Sequence, residues 1–239
     1  MDIRSVRAES EWRLSDVDAI LVDLDGTVLD WTSSVESALR QWLPDIGIAP
    51  SQEAITLWFE LEKKYSYKTN GLPESRRLRL TALATEYGVT LPAAALDRVF
   101  ADYLETCHRN YRLFPDALPF LETLRDNDIP VGVVTNGPRA VQERKVTDCG
   151  LRPFVRFVLA GDSPGHCKPH ADFFAVAVGM FGGQLSNPVV IGDDFETDVA
   201  GAVAAGLTAI HLTRTPRADV DHLYTAQSLA ELETCAVGI

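Results

Sequence analysis

The 239-residue sequence predicts an α/β fold, a doubly wound parallel sheet carrying a small inserted α-helical domain. Three observations carry that expectation. Short apolar segments rich in β-branched residues recur, as strands buried on both faces require. Helical patterns fall between them, the alternation expected of βαβ units. One long interval, from Ser34 to Arg112, lacks strand-like segments and holds four amphipathic stripes instead. At roughly 150 residues per domain the length suits one large domain or two unequal ones.

The first strand is read at Ala19–Val22. The first helical stripe, Val35, Ala38, Leu39 and Trp42, has Ser33 and Glu36 placed to cap it reciprocally and Pro44 to end it. The second carries Ala54, Trp58, Leu61 and Tyr65, and the third Leu80, Leu83, Ala84 and Tyr87. The fourth runs through Leu96, Val99, Phe100, Tyr103, Leu104 and Cys107. Each stripe needs a partner face, and one inserted helical domain satisfies all four. The organisation expected is a core of residues 1–32 and 113–239 with a helical insertion at 33–112. In the core, Leu118, Leu121 and Leu124 mark a helix, and Val131–Val134, Phe157–Ala160, Val189–Ile191 and Thr208–Leu212 mark further strands. An alanine-rich helix is expected over Val199–Ala205, stopped at Gly206.

Composition narrows the function classes. Twenty-two Lys and Arg stand against 34 Asp and Glu, a formal net charge of −12. Such a field repels polyphosphate backbones, so nucleic acid is not an expected partner. The charged first 18 residues do not resemble a signal peptide, and the longest near-apolar run, Phe173–Gly183, is too short to cross a bilayer. A cytoplasmic protein with no membrane partner is expected. The four cysteines contain no CxxC pair, which argues against a disulfide framework. His166, Cys167 and His170 cluster, but no second Cys or His pair completes a zinc site.

In an open parallel sheet, functional groups collect beyond the carboxyl ends of the strands. After the first strand comes Asp23-Leu24-Asp25-Gly26-Thr27, and after the second Thr135-Asn136-Gly137. A loop after the third leads to Lys168-Pro169, and Gly192-Asp193-Asp194 follows the fourth, with Asp198 five residues beyond Asp193. Two like charges 4 Å apart repel by ~4 kcal/mol even at an effective dielectric of 20, so this many carboxylates call for a cation. Oxygen ligands without thiolates favour Mg²⁺, which binds phosphate oxygens alongside one or two carboxylates. Asp23 and Asp25 are two residues apart, so in extended backbone their side chains share a side. The run Gly161–Lys168 does not fit GxxxxGK[ST], since Pro169 stands where Ser or Thr is needed.

These segments, DLDGT at Asp23, TNG at Thr135, KP at Lys168 and GDDFETD at Gly192, resemble the four motifs of the haloacid dehalogenase (HAD) superfamily in family order. The region around Phe114-Pro115-Asp116 resembles that family too, and the helical insertion stands in the position of its C1-type cap. The resemblance implies a HAD-like Rossmannoid core and a Mg²⁺-dependent phosphoric monoester hydrolase working through an aspartyl-phosphate. Asp23 would be the nucleophile and Asp25 the general acid and then base. Thr135 and the backbone amides beside Asn136, with Gly137, would hold phosphate oxygens, and Lys168 would neutralise charge. The metal would be held by Asp23, the Asp25 carbonyl and Asp193, with Asp194 and Asp198 supporting from behind.

Dehalogenases of the superfamily lack an acid two residues after the nucleophile, so Asp25 argues against carbon–halogen cleavage. Hydrolysis of a small phosphorylated metabolite, a sugar phosphate or nucleotide monophosphate, leads. A phosphomutase of the β-phosphoglucomutase type and a non-catalytic binding protein stay open as alternatives. The cap is expected to close over the sheet edge, with the segment from Tyr65 to Leu72, especially Tyr67 and Lys68, reading the leaving group.

Overall fold

Four consecutive buried residues, Ala19–Val22, form β1 at the middle of a six-stranded sheet. The computed structural model describes residues 13–66, 72–162, 167–214 and 224–234. β1 pairs with β2 (Val131–Thr135) on one side and with β4 (Pro188–Gly192) on the other. β3 (Val155–Ala160) lies outside β2; β5 (Thr208–Leu212) and β6 (Tyr224–Ala226) lie outside β4. All five pairings are parallel, in the order β3-β2-β1-β4-β5-β6. The chain lays strands first to one side of β1 and then to the other. The crevice beyond the carboxyl ends of β1 and β4 is therefore the switch point where α/β sheets bind ligands.

The five strands expected from their apolar runs all form. β6, only three residues long and half exposed at its start, has no apolar run to betray it. One face of the sheet packs against α7 (Ala171–Gly179) through Phe157, Phe173, Phe174 and Phe181, with the Phe157 and Phe181 rings 4.9 Å apart. α5 (Ala117–Asp126) buries Ala117, Phe120, Leu121 and Leu124. Leu118, expected in that stripe, is 39% exposed, because the three-residue spacing drifts off the face that Phe120 occupies. The expected alanine-rich helix also starts earlier. A π-type turn over Phe195–Ala200 runs into α8 (Gly201–Ala204), because Asp194 caps it by accepting from the Thr197 amide at 2.8 Å.

The described contacts separate two compact units, one of residues up to Asp30 and from Arg112 onward, the other Trp31–Tyr111. The second is all helical: α1 (Trp31–Trp42), α2 (Gln52–Ser66), α3 (Leu72–Glu86) and α4 (Leu96–Asn110). α1 begins two residues before the expected capping pair, so Ser33 and Glu36 lie inside its first turns. The helix starts directly after Asp30, whose amide is fixed by a 3.0 Å bond to the Arg112 carbonyl. Trp42, Trp58, Phe100 and Tyr103 centre this unit's core, and the Trp58 indole donates to the Tyr103 hydroxyl at 3.1 Å. The Arg79 guanidinium sits 4.3 Å over the Trp58 ring and pairs with Glu62 at 2.9 Å. Among the described residues no helix is long and apolar enough to cross a membrane.

Gly132 interrupts β2 because Phe157 of β3 needs its space: a Cβ there would come within 2.3 Å of the Phe157 ring. Gly132→Ala is expected to lower stability by about 1–3 kcal/mol through overpacking, read as a lower urea midpoint at unchanged slope. An unchanged midpoint would show that the ring yields without cost.

Candidate active site

The ends of β1, β2 and β4 and the loop after β3 bring polar side chains to the switch point. Asp23 directly follows β1; its amide continues the ladder to Ile191 at 2.9 Å, which sets where the side chain emerges. Lys168, 4% exposed, reaches in from the loop after β3. Its ammonium donates to Asp23 Oδ1 at 2.6 Å, to Asp198 Oδ1 at 2.6 Å and to the Val134 carbonyl at 3.1 Å. Three partners for three N–H donors leave this lysine no rotational freedom.

Its loop is pinned as well. The Asn136 side chain accepts from the Lys168 amide at 2.8 Å and donates to the Lys168 carbonyl at 2.9 Å, and the Lys168–Pro169 peptide is cis. Asn136 therefore spends its carboxamide on the lysine backbone. Thr135, buried at the end of β2, accepts from the Gly137 amide at 3.4 Å.

On the β4 side, Thr27 donates its hydroxyl to Asp193 Oδ1 at 3.0 Å, and the His211 ring on β5 lies 3.0 Å from the Asp193 carbonyl. The Asp194 amide donates to Asp198 Oδ2 at 3.2 Å, while the Asp194 carboxylate is turned to its capping bond. Gly26 (φ +93°) makes the approach of the two loops possible, since a Cβ there would come 2.3 Å from Asp193 Oδ2. A Cβ on Gly192 would collide with Asp198 at the same distance.

Asp23, Asp193 and Asp198 thus offer carboxylate oxygens within 4.8 Å of one another. Both oxygens of Asp198 are engaged by Lys168 and the Asp194 amide. Lys168 takes only Oδ1 of Asp23, and Thr27 only Oδ1 of Asp193. This hard, oxygen-only donor set suits a divalent cation. Burial pushes the Asp23 carboxyl up to about 7 against the pull of Lys168, with Asp198 adding repulsion. Burial, then the charge of Asp23, raises Asp193 to about 7 as well. Burial opposes the charge on Lys168, but the two carboxylates outweigh it and hold the ammonium firmly protonated.

Asp25 faces another way. Its carboxylate receives Lys145 Nζ at 2.7 and 2.6 Å and the Gln142 amide at 3.0 Å, both from α6 (Arg139–Asp148). Neither residue was singled out from sequence. A signal existed: α6 flanks a buried sheet yet has Ala140, Val141 and Val146 as its only apolar residues, so polar side chains three apart had to turn inward. Arg214, after β5, was missed too; it pairs with Asp116 at 2.6 Å, donates to the Thr27 carbonyl and stacks 3.9 Å over Phe114. Tyr67 and Lys68 lie outside the described residues.

Sheet order, strand-end acids and a bridging lysine define a class that comparison with known proteins names. Residues 17–206 match the family model described as haloacid dehalogenase-like hydrolase. The chain belongs to that hydrolase family. It is 28% identical over 202 residues to a ribulose-1,5-bisphosphate 5-phosphatase from Halopiger xanaduensis, covering 80% of this chain and 83% of that protein. It is 30% identical over 191 residues to a plasmid-borne phosphoglycolate phosphatase of Cupriavidus necator, covering 79% and 78%. The magnesium-bound structure of the putative HAD-hydrolase YfnB from Bacillus subtilis superposes with a TM-score of 0.75 at 24% identity, over 91% of this chain and 97% of that one.

Because the folded protein holds protons on Asp23 and Asp193 up to about pH 7 that the unfolded chain releases near 3.8, these groups stabilise least at high pH. Their contribution falls as pH rises from about 4 through 7 and is level beyond. The melting temperature of metal-depleted protein is expected to fall more steeply over that window in wild type than in Asp193→Asn. A divalent cation is expected to restore most at the upper end. Parallel wild-type and variant curves would contradict this.

Proposed function

We propose that this hydrolase is a magnesium-dependent phosphatase of small phosphorylated metabolites, with Asp23 as the group that takes the phosphoryl unit. The observation that carries this reading is the Lys168 ammonium bridging Asp23 and Asp198 at 2.6 Å each, beside Asp193, at the switch point of the sheet. Phosphoryl transfer depends chiefly on positioning and on charge stabilisation. The chain's own residues supply both. Lys168 fixes the Asp23 carboxylate and places one positive charge where the transferring oxygens come to lie. In this reading Thr135, buried at the end of β2, and the amides after it receive the same oxygens.

Asp23 attacks phosphorus while Asp25 gives a proton to the departing alcohol. Asp25 then takes a proton from water as that water releases phosphate from Asp23. Splitting hydrolysis into two displacements lowers each barrier. Asp23, Asp193 and the main-chain carbonyl of Asp25 are the groups that would hold Mg²⁺. When bound, the ion offsets negative charge on the phosphoryl oxygens and on the two carboxylates. Relatives named for ribulose bisphosphate, glyceraldehyde 3-phosphate and phosphoglycolate support a substrate of the sugar-phosphate kind, with a nucleotide monophosphate as the second class to test.

The test is phosphate release across a panel of phosphorylated metabolites, with and without EDTA. Activity is expected with Mg²⁺ and loss of it on chelation. Asp23→Asn is expected to abolish turnover, and Asp25→Ala to slow it by about 10²- to 10⁴-fold. Full activity in Asp23→Asn would end this reading.

A further inference from the structure

α6 buries a glutamine and a lysine where a helix on an α/β sheet normally buries apolar side chains. Gln142 is 2% and Lys145 4% exposed, and both point at one carboxylate, that of Asp25. Burying a lysine without a partner is costly, so a sequence keeps one there when its charge has work at that place. Three features build the arrangement. Asp162 caps α6 by accepting from the Arg139 amide at 2.9 Å. Gln142 and Lys145, three residues apart, share one helix face. Gly137 leaves the room that the Gln142 amide occupies, since a Cβ there would lie 1.9 Å from Gln142 Nε2. The glycine after Asn136 thus has a physical reason in the support of Asp25.

We propose that Lys145 and Gln142 are positioning residues for the proton-transfer step, holding both oxygens of Asp25 so that its proton is delivered along one direction. The inference rests on the phosphatase reading above and deepens it. In the first displacement the O–P bond to the alcohol breaks as Asp23 bonds to phosphorus, and the proton of Asp25 passes to the leaving oxygen. In the second, water's oxygen bonds to phosphorus, its proton passes to Asp25, and the Asp23–P bond breaks. Lys145 transfers no proton in either step; its ammonium faces the carboxylate that loses and regains one.

Such a role has a signature that a purely structural role lacks. A poor leaving group needs the proton of Asp25, whereas a stabilised phenolate leaves nearly unaided. The quantity to compare is kcat/KM, which covers only events up to departure of the leaving group. Phenyl phosphate and p-nitrophenyl phosphate are the two probes, with Mg²⁺ present. Lys145→Met is expected to lose about tenfold or more on phenyl phosphate, a share of what general acid catalysis supplies, and clearly less on the nitro compound. Gln142→Met, a milder change, is expected to lose in the same pattern to a smaller extent. Lys145→Arg is expected to recover part of the phenyl phosphate rate. Equal losses on both probes, or none, in the folded variants would overturn the proposal. If Lys145→Met fails to fold, Gln142→Met decides alone by the same two outcomes. Wild-type protein inert on both probes and on the metabolite panel would bring down the phosphatase reading itself. Wild-type turnover with an unselective loss would overturn this inference alone.

Discussion

The placement of one positive charge organises this site. Asp23, Asp193 and Asp198 are brought within a few ångströms by the ends of two neighbouring strands, β1 and β4, and burial makes each harder to ionise. The Lys168 ammonium relieves two of them at once while itself held to a strand carbonyl. Removing one member of such a buried group costs about 3–5 kcal/mol, because the remaining charges lose their partner. Around that charge the other bonds read as supports. Asn136 fixes the lysine's backbone, the Asp194 amide fixes Asp198, and Thr27 and His211 fix the two ends of Asp193.

Absent side chains matter as much as present ones. Gly26 and Gly192 lie where a methyl group would strike a carboxylate of the cluster, and Gly137 where one would strike the amide that supports Asp25. The acid loops can approach one another only because these positions are bare. A short motif written with glycine in it is here a statement about neighbouring volume, one that the letters alone do not disclose.

Much of the fold and of the acid–lysine cluster was legible because it obeys short rules. Buried strands of four to six residues announce themselves as apolar runs, and α/β sheets put chemistry after them. That reasoning reached Asp23, Asp25, Thr135, Lys168, Asp193 and Asp198 from position alone. It failed where the controlling partner is distant in sequence. Lys145 and Gln142 lie about 120 residues from Asp25, on a helix whose apolar pattern is too weak to mark a face. Leu118 was misplaced because helical spacing leaves a choice of face that only Phe120 decides. β6 and the π-type turn before α8 are too short for periodicity to speak, and the turn is set by a local cap.

The central position of β1 bears on how the protein comes into being on the ribosome. Asp23 is synthesised early, but the segment bearing Lys168, and β4 with Asp193 and Asp198 behind it, emerge some 145 to 175 residues later. Until then one edge of β1 has no neighbour and Asp23 lacks the lysine that faces it. Parallel pairing across such separations is slow to form and leaves strand edges open to other chains in the interval. The acid–lysine cluster is thus complete only once the last third of the polypeptide has docked beside its first strand.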